Sequence, residues 1–85
     1  MNIDNLKVSE RGSNYFVLSD DDCLRLYSYD SLIAIKFYDG KTFLDNRTWD
    51  YSLITGKHRN AFLGEDKKIT SYKIKEGIYQ LRDLN

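Results

Sequence analysis

Between residues 14 and 44, apolar and polar side chains alternate in short segments, a period typical of half-buried β-strands. This pattern predicts strands over residues 14–19, 23–29 and 32–38, and a fourth over residues 41–44. The acidic run that follows the first strand predicts a turn, because Asp side chains bond neighbouring backbone N–H groups. The first half of the chain is therefore predicted to form an antiparallel sheet.

The pair Asp39-Gly40 between two of these strands predicts a β-hairpin with a two-residue turn. Such a turn pairs Ile35 with Leu44 and places Phe37 on the same side of the sheet. We expect these three side chains to lie in the core.

The hydrophobic period changes to that of a helix after residue 51. Ser52 is a candidate N-cap and Gly64 a candidate C′ residue of a helix over residues 53–63. Gly56 inside this helix is expected to loosen its first turn. One stripe of the helix is predicted to face the sheet. It comprises Ile54, His58, Ala61 and Phe62.

The C-terminal segment permits two interpretations. Residues 69–75 are predicted as a strand, and residues 76–84 as either a short helix, which we favour, or a second hairpin strand. The whole chain, residues 1–85, is then a single small α+β domain, in which an antiparallel sheet of three to four strands carries one helix on one face. The predicted core comprises Ile33, Ile35, Phe37, Leu44, Ile54 and Phe62.

Composition agrees with one folded domain, since 41% of the residues are hydrophobic and 14% aromatic. A single cysteine, Cys23, excludes an intramolecular disulfide and indicates a reducing compartment. No apolar run has the length of a signal peptide or a membrane span, so we expect a soluble, cytosolic protein. The net charge of zero argues against a dedicated nucleic-acid binder.

Residues suited to catalysis or metal binding are few. Cys23 and His58 are the only residues of their types and fall on different predicted elements, which disfavours a catalytic Cys–His pair. A lone His without a Cys pair does not make a zinc site, and the acidic run 20–22 lacks the glycine and distal Glu of a calcium loop. Gly56-Lys57 is not followed by the Ser or Thr of a phosphate loop. We predict no enzymatic activity, no cofactor and no metal.

Tyrosine, tryptophan and basic residues predict a binding surface. On the sheet, Tyr, Trp, Arg and Lys together are typical of single-strand nucleic-acid binders, and the same residue types also anchor protein interfaces. Near the helix start, the basic side chains are expected either to bind an anion or to form a solvated surface. The sheet set comprises Tyr15, Tyr27, Tyr29, Tyr38, Trp49, Arg25, Lys36 and Lys41. The residues predicted to bind a partner are Tyr27, Tyr29, Tyr38, Trp49, Lys57, His58 and Arg59.

Residues 49–63, WDYSLITGKHRNAFL, resemble a motif of small bacteriophage-encoded proteins of unknown function. In that motif a Tyr-Ser leads to Thr-Ser-Lys-His and then to Asn-x-Phe, and Gly56 stands where the motif has Ser. Residues 27–34 and the Asp39-Gly40 hairpin are also similar to that group. The resemblance implies a phage accessory protein in the cytoplasm of a bacterial host.

The leading hypothesis is a non-enzymatic phage protein that binds a host protein stoichiometrically, for example to inhibit a defence nuclease as anti-CRISPR proteins do; this role is an analogy with other small phage proteins. The alternative is a nucleic-acid-binding module that uses the aromatic and basic sheet face and residues 57–59. Tyr-rich strands without Pro at their edges also predict a homodimer, with a monomer as the other outcome.

Overall fold

The structure is a computed structural model that describes residues 7–12 and 14–85. The strands in this part of the chain form one six-stranded sheet in the order β1-β2-β3-β4-β5-β6. The first five strands form an antiparallel meander, and β6 pairs with β5 in parallel after a crossover through both helices. The elements are β1 (Lys7–Arg11), β2 (Tyr15–Ser19), β3 (Cys23–Ser28), β4 (Ser31–Phe37), β5 (Thr42–Asp45), α1 (Leu53–Leu63), α2 (Lys67–Lys75) and β6 (Tyr79–Arg82).

The predicted α+β class is confirmed, and the sheet is larger than expected. The described residues contain six strands and two helices, where the sequence predicts three to four strands and one helix. The additional strands are β1, in a polar segment, and β6, whose partner β5 is distant in sequence. Because β6 is parallel to β5, the sheet is mixed rather than purely antiparallel.

The hairpin between β4 and β5 forms at the predicted place with a different register. Phe37 N donates to Lys41 O, and Gly40 N donates to Phe37 O, so the loop has three residues. Gly40 has a φ of 102°, which a loop of this kind requires of its last residue. Leu44 consequently pairs with Ala34 instead of Ile35. A two-residue turn with positive φ at both positions, as predicted for residues 39–40, lies earlier, at residues 29–30.

A β-bulge at Ile33 changes which β4 side chains reach the core. Leu26 pairs with Ala34 and Tyr27 with Leu32, so Ile33 is the extra residue, and both Ile33 and Ala34 are buried. A shift of one residue exchanges the two faces of a strand. The predicted burial of Ile33 and Leu44 is confirmed, whereas Ile35 and Phe37 are only half-buried and lie outside the core cluster.

Helix α1 has the predicted bounds and caps. The Oγ of Ser52 accepts a hydrogen bond from Thr55 N, and Gly64 closes the helix with a φ of 71°. The predicted buried stripe is wrong in part: Ile54 is 45% exposed and Ala61 is also exposed, while His58 and Phe62 are half-buried. The buried residues of α1 are Thr55, Gly56 and Arg59.

The C-terminal prediction is reversed by the structure. Residues 69–75, predicted as a strand, belong to α2, whose N-cap Asp66 accepts a hydrogen bond from Ile69 N. The helix favoured for residues 76–84 is likewise wrong, because this segment contains β6. The alternative strand is correct, but it pairs in parallel with β5 rather than in a hairpin.

The core lies between the sheet and the two helices. Half-buried Phe62 of α1 and Ile74 of α2 pack against it. Neither of the two helices described is long and apolar enough to cross a bilayer. The buried hydrophobic cluster comprises Val17, Leu26, Ile33, Ala34, Leu44 and Tyr79.

Candidate functional site

The sheet has a second face, opposite to the helices. On the helix side, α1 contacts Ser28 and Lys36, and α2 contacts Tyr79. Side chains alternate across a strand, so the residues between these positions point away from both described helices. Cross-strand pairing joins them into two rows, Phe16–Tyr27–Leu32 and Leu18–Arg25–Ile35–Phe43.

We call the apolar part of this surface the open face. Its side chains are half-buried. The rings of Phe16 and Tyr27 stack with centroids 4.8 Å apart, and those of Phe37 and Phe43 meet edge to face at 5.7 Å. The open face comprises Phe16, Leu18, Tyr27, Leu32, Ile35, Phe37 and Phe43.

Two arginines accompany the open face in different electrostatic states. Arg25 Nη1 lies 2.7 Å from Asp20 Oδ2, and this hydrogen bond, with those from the backbone N–H groups of Asp22 and Cys23, holds the pKa of the Asp20 carboxyl well below its usual range. Arg82 lies over the Phe43 ring at 5.2 Å. Among the described residues Arg82 makes no ion pair, so its positive charge is uncompensated.

The aromatic residues predicted to bind a partner do not lie together. Tyr27 belongs to the open face. Tyr29 and Tyr38 occupy the two turns at opposite ends of β4 and are 51% and 60% exposed. Trp49 packs against the core, and Lys36 donates to Phe62 O on the helix side. The predicted aromatic and basic side chains therefore do not share one sheet face.

His58 is held inside a network of hydroxyl groups. Its Nδ1 lies 3.0 Å from Ser28 Oγ, which in turn lies 3.2 Å from Thr55 Oγ1. The imidazole packs against the Tyr15 ring at 4.4 Å. Burial lowers the pKa of His58, so the ring is neutral near pH 7, and the tautomer decides whether Nδ1 or the Ser28 hydroxyl donates in this contact. His58 thus fixes α1 to β3.

Arg59, predicted to contact a partner, is 1% exposed. Its Nη1 donates to Trp49 O at 2.7 Å and to Asp50 Oδ1 at 3.1 Å, and its Nη2 donates to Asn60 Oδ1 at 3.0 Å. The guanidinium also lies over the Trp49 ring at 5.3 Å. Asp50 is shared with Lys67, whose Nζ is 2.6 Å from Oδ2, and this contact lowers the pKa of Asp50 most.

Lys57 is exposed and borders a cleft of about 410 Å³ along the first turns of α1. We call it the α1 cleft. Its lining combines three cations with one carboxylate, together with amide and hydroxyl groups. The α1 cleft is lined by Asp50, Ser52, Leu53, Gly56, Lys57, Arg59, Asn60 and Lys67.

The cysteine and serine side chains that could act as nucleophiles are buried inside the fold. Cys23 is fully buried at the start of β3, and burial raises the pKa of its thiol. His58 contacts Ser28 at the other end of β3, about 17 Å away for a strand of this length. Ser28 is 2% exposed, and its hydroxyl is already shared between His58 and Thr55. In residues 7–12 and 14–85 no three His, Cys, Asp or Glu side chains form a group that could hold a metal ion.

Sequence reasoning missed the open face and the buried state of Arg59. The signal for the open face was the second set of alternating apolar residues in β2 to β5, of which the predicted register of the hairpin assigned Ile35 and Phe37 to the core. For Arg59, the nearby Asp50 and the adjacent Trp49 indicate in hindsight a buried cation with a carboxylate and an aromatic ring.

Comparison with known proteins gives the chain a family but not a function. The chain belongs to the family of unknown function DUF8033, whose sequence model matches residues 1–77. This match includes every element from β1 to α2, and β6 follows it. No curated protein and no solved structure matches the chain.

Proposed function

We propose that this member of a family of unknown function is a non-enzymatic protein-binding domain that docks onto its partner through the open face. The observation that carries the proposal is a group of seven large, half-buried apolar side chains, with the Asp20-paired Arg25 among them, on the sheet face opposite to both described helices. Contiguous apolar surface of this kind marks protein interaction sites, and Phe and Tyr are enriched in them.

The charges beside the open face suggest the chemistry of the partner surface. Arg25 is neutralised by Asp20, so it needs no further counter-charge. Arg82, at the margin of the sheet, has Gln80 and the Phe43 ring as its described side-chain contacts. A partner that covers Phe43 therefore benefits from a carboxylate opposite Arg82, where an interfacial charge pair improves orientation and association rate. We expect an apolar partner surface with an acidic group at one edge.

The resemblance of residues 49–63 to phage-encoded proteins supports a bacterial host protein as the class of partner to test first. A defence nuclease remains one member of that class. The absence of enzymatic activity is part of the same proposal. It is supported by the internal hydrogen bonds of His58 and by the burial of Cys23.

The experiment compares two charge-introducing variants. Leu18→Glu places a carboxylate on the open face, at its β2 end, and Ile69→Glu places one on an exposed position of α2. Each immobilised protein is incubated with bacterial lysate, captured proteins are identified by mass spectrometry, and the purified partner is titrated by calorimetry. The wild type and Ile69→Glu should bind the partner alike, while Leu18→Glu should weaken binding by at least ten-fold. Circular dichroism verifies that both variants are folded.

Equal binding by Leu18→Glu and the wild type would contradict the proposal. Nucleic acid that copurifies with the wild type and binds in a salt-sensitive manner would instead favour the nucleic-acid alternative. Light scattering measures the mass of the protein in solution and so tests the homodimer, which stays a prediction. If the open face binds a second copy, the wild type has twice the mass of the 10.0 kDa chain and Leu18→Glu does not.

A further inference from the structure

The guanidinium of Arg59 is buried, and the groups around it do not supply an acceptor for each of its nitrogen atoms. Its two Nη atoms donate to Trp49 O, Asp50 and Asn60, whereas its Nε has no acceptor among the described residues. Asp50 does not neutralise it alone, because the same carboxylate also pairs with Lys67. A buried donor without an acceptor, on a cation that shares its counter-charge, lowers the stability of the isolated protein.

The α1 cleft, which Arg59 lines, has a matching excess of positive charge. Its lining holds Lys57, Arg59 and Lys67 against Asp50, a balance of three cations to one anion. Ser52 and Asn60 add a hydroxyl and an amide to the wall. Position 56 carries no side chain, and a Cβ built there would lie 3.5 Å from Arg59 Nη2. An added Cβ would therefore stand in ordinary contact with the guanidinium, which is itself buried.

We propose that the α1 cleft binds a phosphate group, with Lys57 and Lys67 as its cationic ligands and the buried Arg59 guanidinium as the positive charge behind them. A phosphate monoester carries nearly two negative charges at neutral pH, which offsets the two uncompensated positive charges of the lining. Its three terminal oxygens accept from several directions, whereas a carboxylate offers two oxygens in one plane. The cleft volume of about 410 Å³ leaves room for the organic part of a monoester. The site lies on α1, on the helix side of the sheet, and does not rest on the open-face proposal.

Inorganic phosphate is the probe, titrated into the ¹⁵N-labelled protein at constant ionic strength maintained with chloride. Saturable shifts are expected at the amides of Gly56, Lys57, Arg59 and Lys67. The double variant Lys57→Gln/Lys67→Gln should bind phosphate at least ten-fold more weakly. The matched control is Lys41→Gln/Lys75→Gln, which removes two exposed lysines outside the cleft and should retain the wild-type affinity.

Three results would overturn the proposal. The first is a phosphate titration with no saturable shift around α1 beyond that produced by chloride. The second is an equal loss of affinity in both double variants, which would indicate attraction to net charge rather than to the cleft. The third is acetate binding as tightly as phosphate, which would show that the cleft does not select a tetrahedral anion. None of these results bears on binding at the open face.

Discussion

The imidazole of His58 in α1 and the hydroxyl of Ser28 in β3 lie 3.0 Å apart, and this contact joins the helix to the sheet. The Ser28 hydroxyl also meets Thr55, one turn earlier on α1. Two positions of the same helix thus share one buried hydroxyl of the sheet. Burial of the ring favours the neutral imidazole over the charged one.

We therefore expect stability to depend on the protonation of His58. Burial lowers its pKa in the folded chain, while the unfolded chain takes up the proton near pH 6.5. Below that value the unfolded state binds more protons than the folded state, so the free energy of unfolding falls as pH decreases. It should be constant above about pH 7.5 and decline between about pH 6.5 and 5.5. Urea denaturation at these pH values measures the decline.

His58→Asn is the variant that isolates this effect. Its side chain keeps a hydrogen-bonding group near the position of Nδ1 but does not titrate. The carboxyls with lowered pKa, including Asp20 and Glu65, lose their contributions only at more acidic pH. Stability of His58→Asn should therefore be nearly flat from pH 7.5 to 5.5. A decline as steep as that of the wild type would show that another group causes it.

Arg59→Lys tests the geometry of the buried guanidinium. Lysine keeps the charge but has no planar fork, so it cannot bond Trp49 O, Asp50 and Asn60 at once. We expect a loss of about 3 kcal/mol in the free energy of unfolding, as for other broken buried ion pairs. Lys57→Arg, an exposed change on the same helix, should stay within about 0.5 kcal/mol. Similar losses in the two variants, measured in urea, would contradict the role assigned to Arg59.

Two glycines of α1 should respond to alanine in opposite directions. Gly56 lies within the helix, and an added Cβ would make ordinary contact with the Arg59 guanidinium at 3.5 Å. Gly56→Ala should stabilise the protein by up to about 1 kcal/mol. Gly64 has a φ of 71°, which strains a residue with a Cβ, so Gly64→Ala should destabilise by about 1 kcal/mol. Thermal unfolding of both variants compares the signs, and destabilisation by Gly56→Ala would show that the helix surface there is tighter than described.

Replacement of Asp45 should cost more stability than replacement of an exposed carboxylate. It is buried and accepts hydrogen bonds from Thr48 N, Thr48 Oγ1 and Leu84 N. Burial raises the pKa of Asp45, and these hydrogen bonds more than offset it, so the net pKa is lowered. Asp45→Asn should cost about 2 to 3 kcal/mol, because an amide turns part of this acceptor into a donor. Asp83→Asn, at an exposed position, is the control and should be near neutral in urea denaturation.

The parts of the fold that depend on local chemistry could be predicted from the sequence. Ser52 and Gly64 act within one turn of α1, so its bounds follow from residue type. The cap of α2 is equally local, at Asp66, but the β-branched residues after it favoured a strand. In the structure this segment is a helix, in which Thr70 is fully buried and Ile74 packs against the core.

The faces of the elements could not be predicted, because they depend on contacts distant in sequence. The bulge at Ile33 shifts the pairing of β4 with β3 by one residue, and the three-residue loop before Lys41 shifts the pairing of β5 with β4 by one residue. Neither changes the hydrophobic pattern of the sequence. The buried stripe of α1 was missed for another reason. A hydrophobic stripe assumes that polar residues face solvent, whereas Thr55 and Arg59 are buried with partners that lie outside α1.

The parallel pairing of β5 with β6 has a consequence for the order of folding. The meander from β1 to β5 joins neighbours in sequence, so its loops close at little entropic cost. β6 is synthesised only after both helices, and its partner β5 therefore waits with one edge unpaired while α1 and α2 emerge. During that interval the backbone of Thr42 and Leu44, buried in the finished sheet, faces water on the growing chain and can template a strand from another molecule.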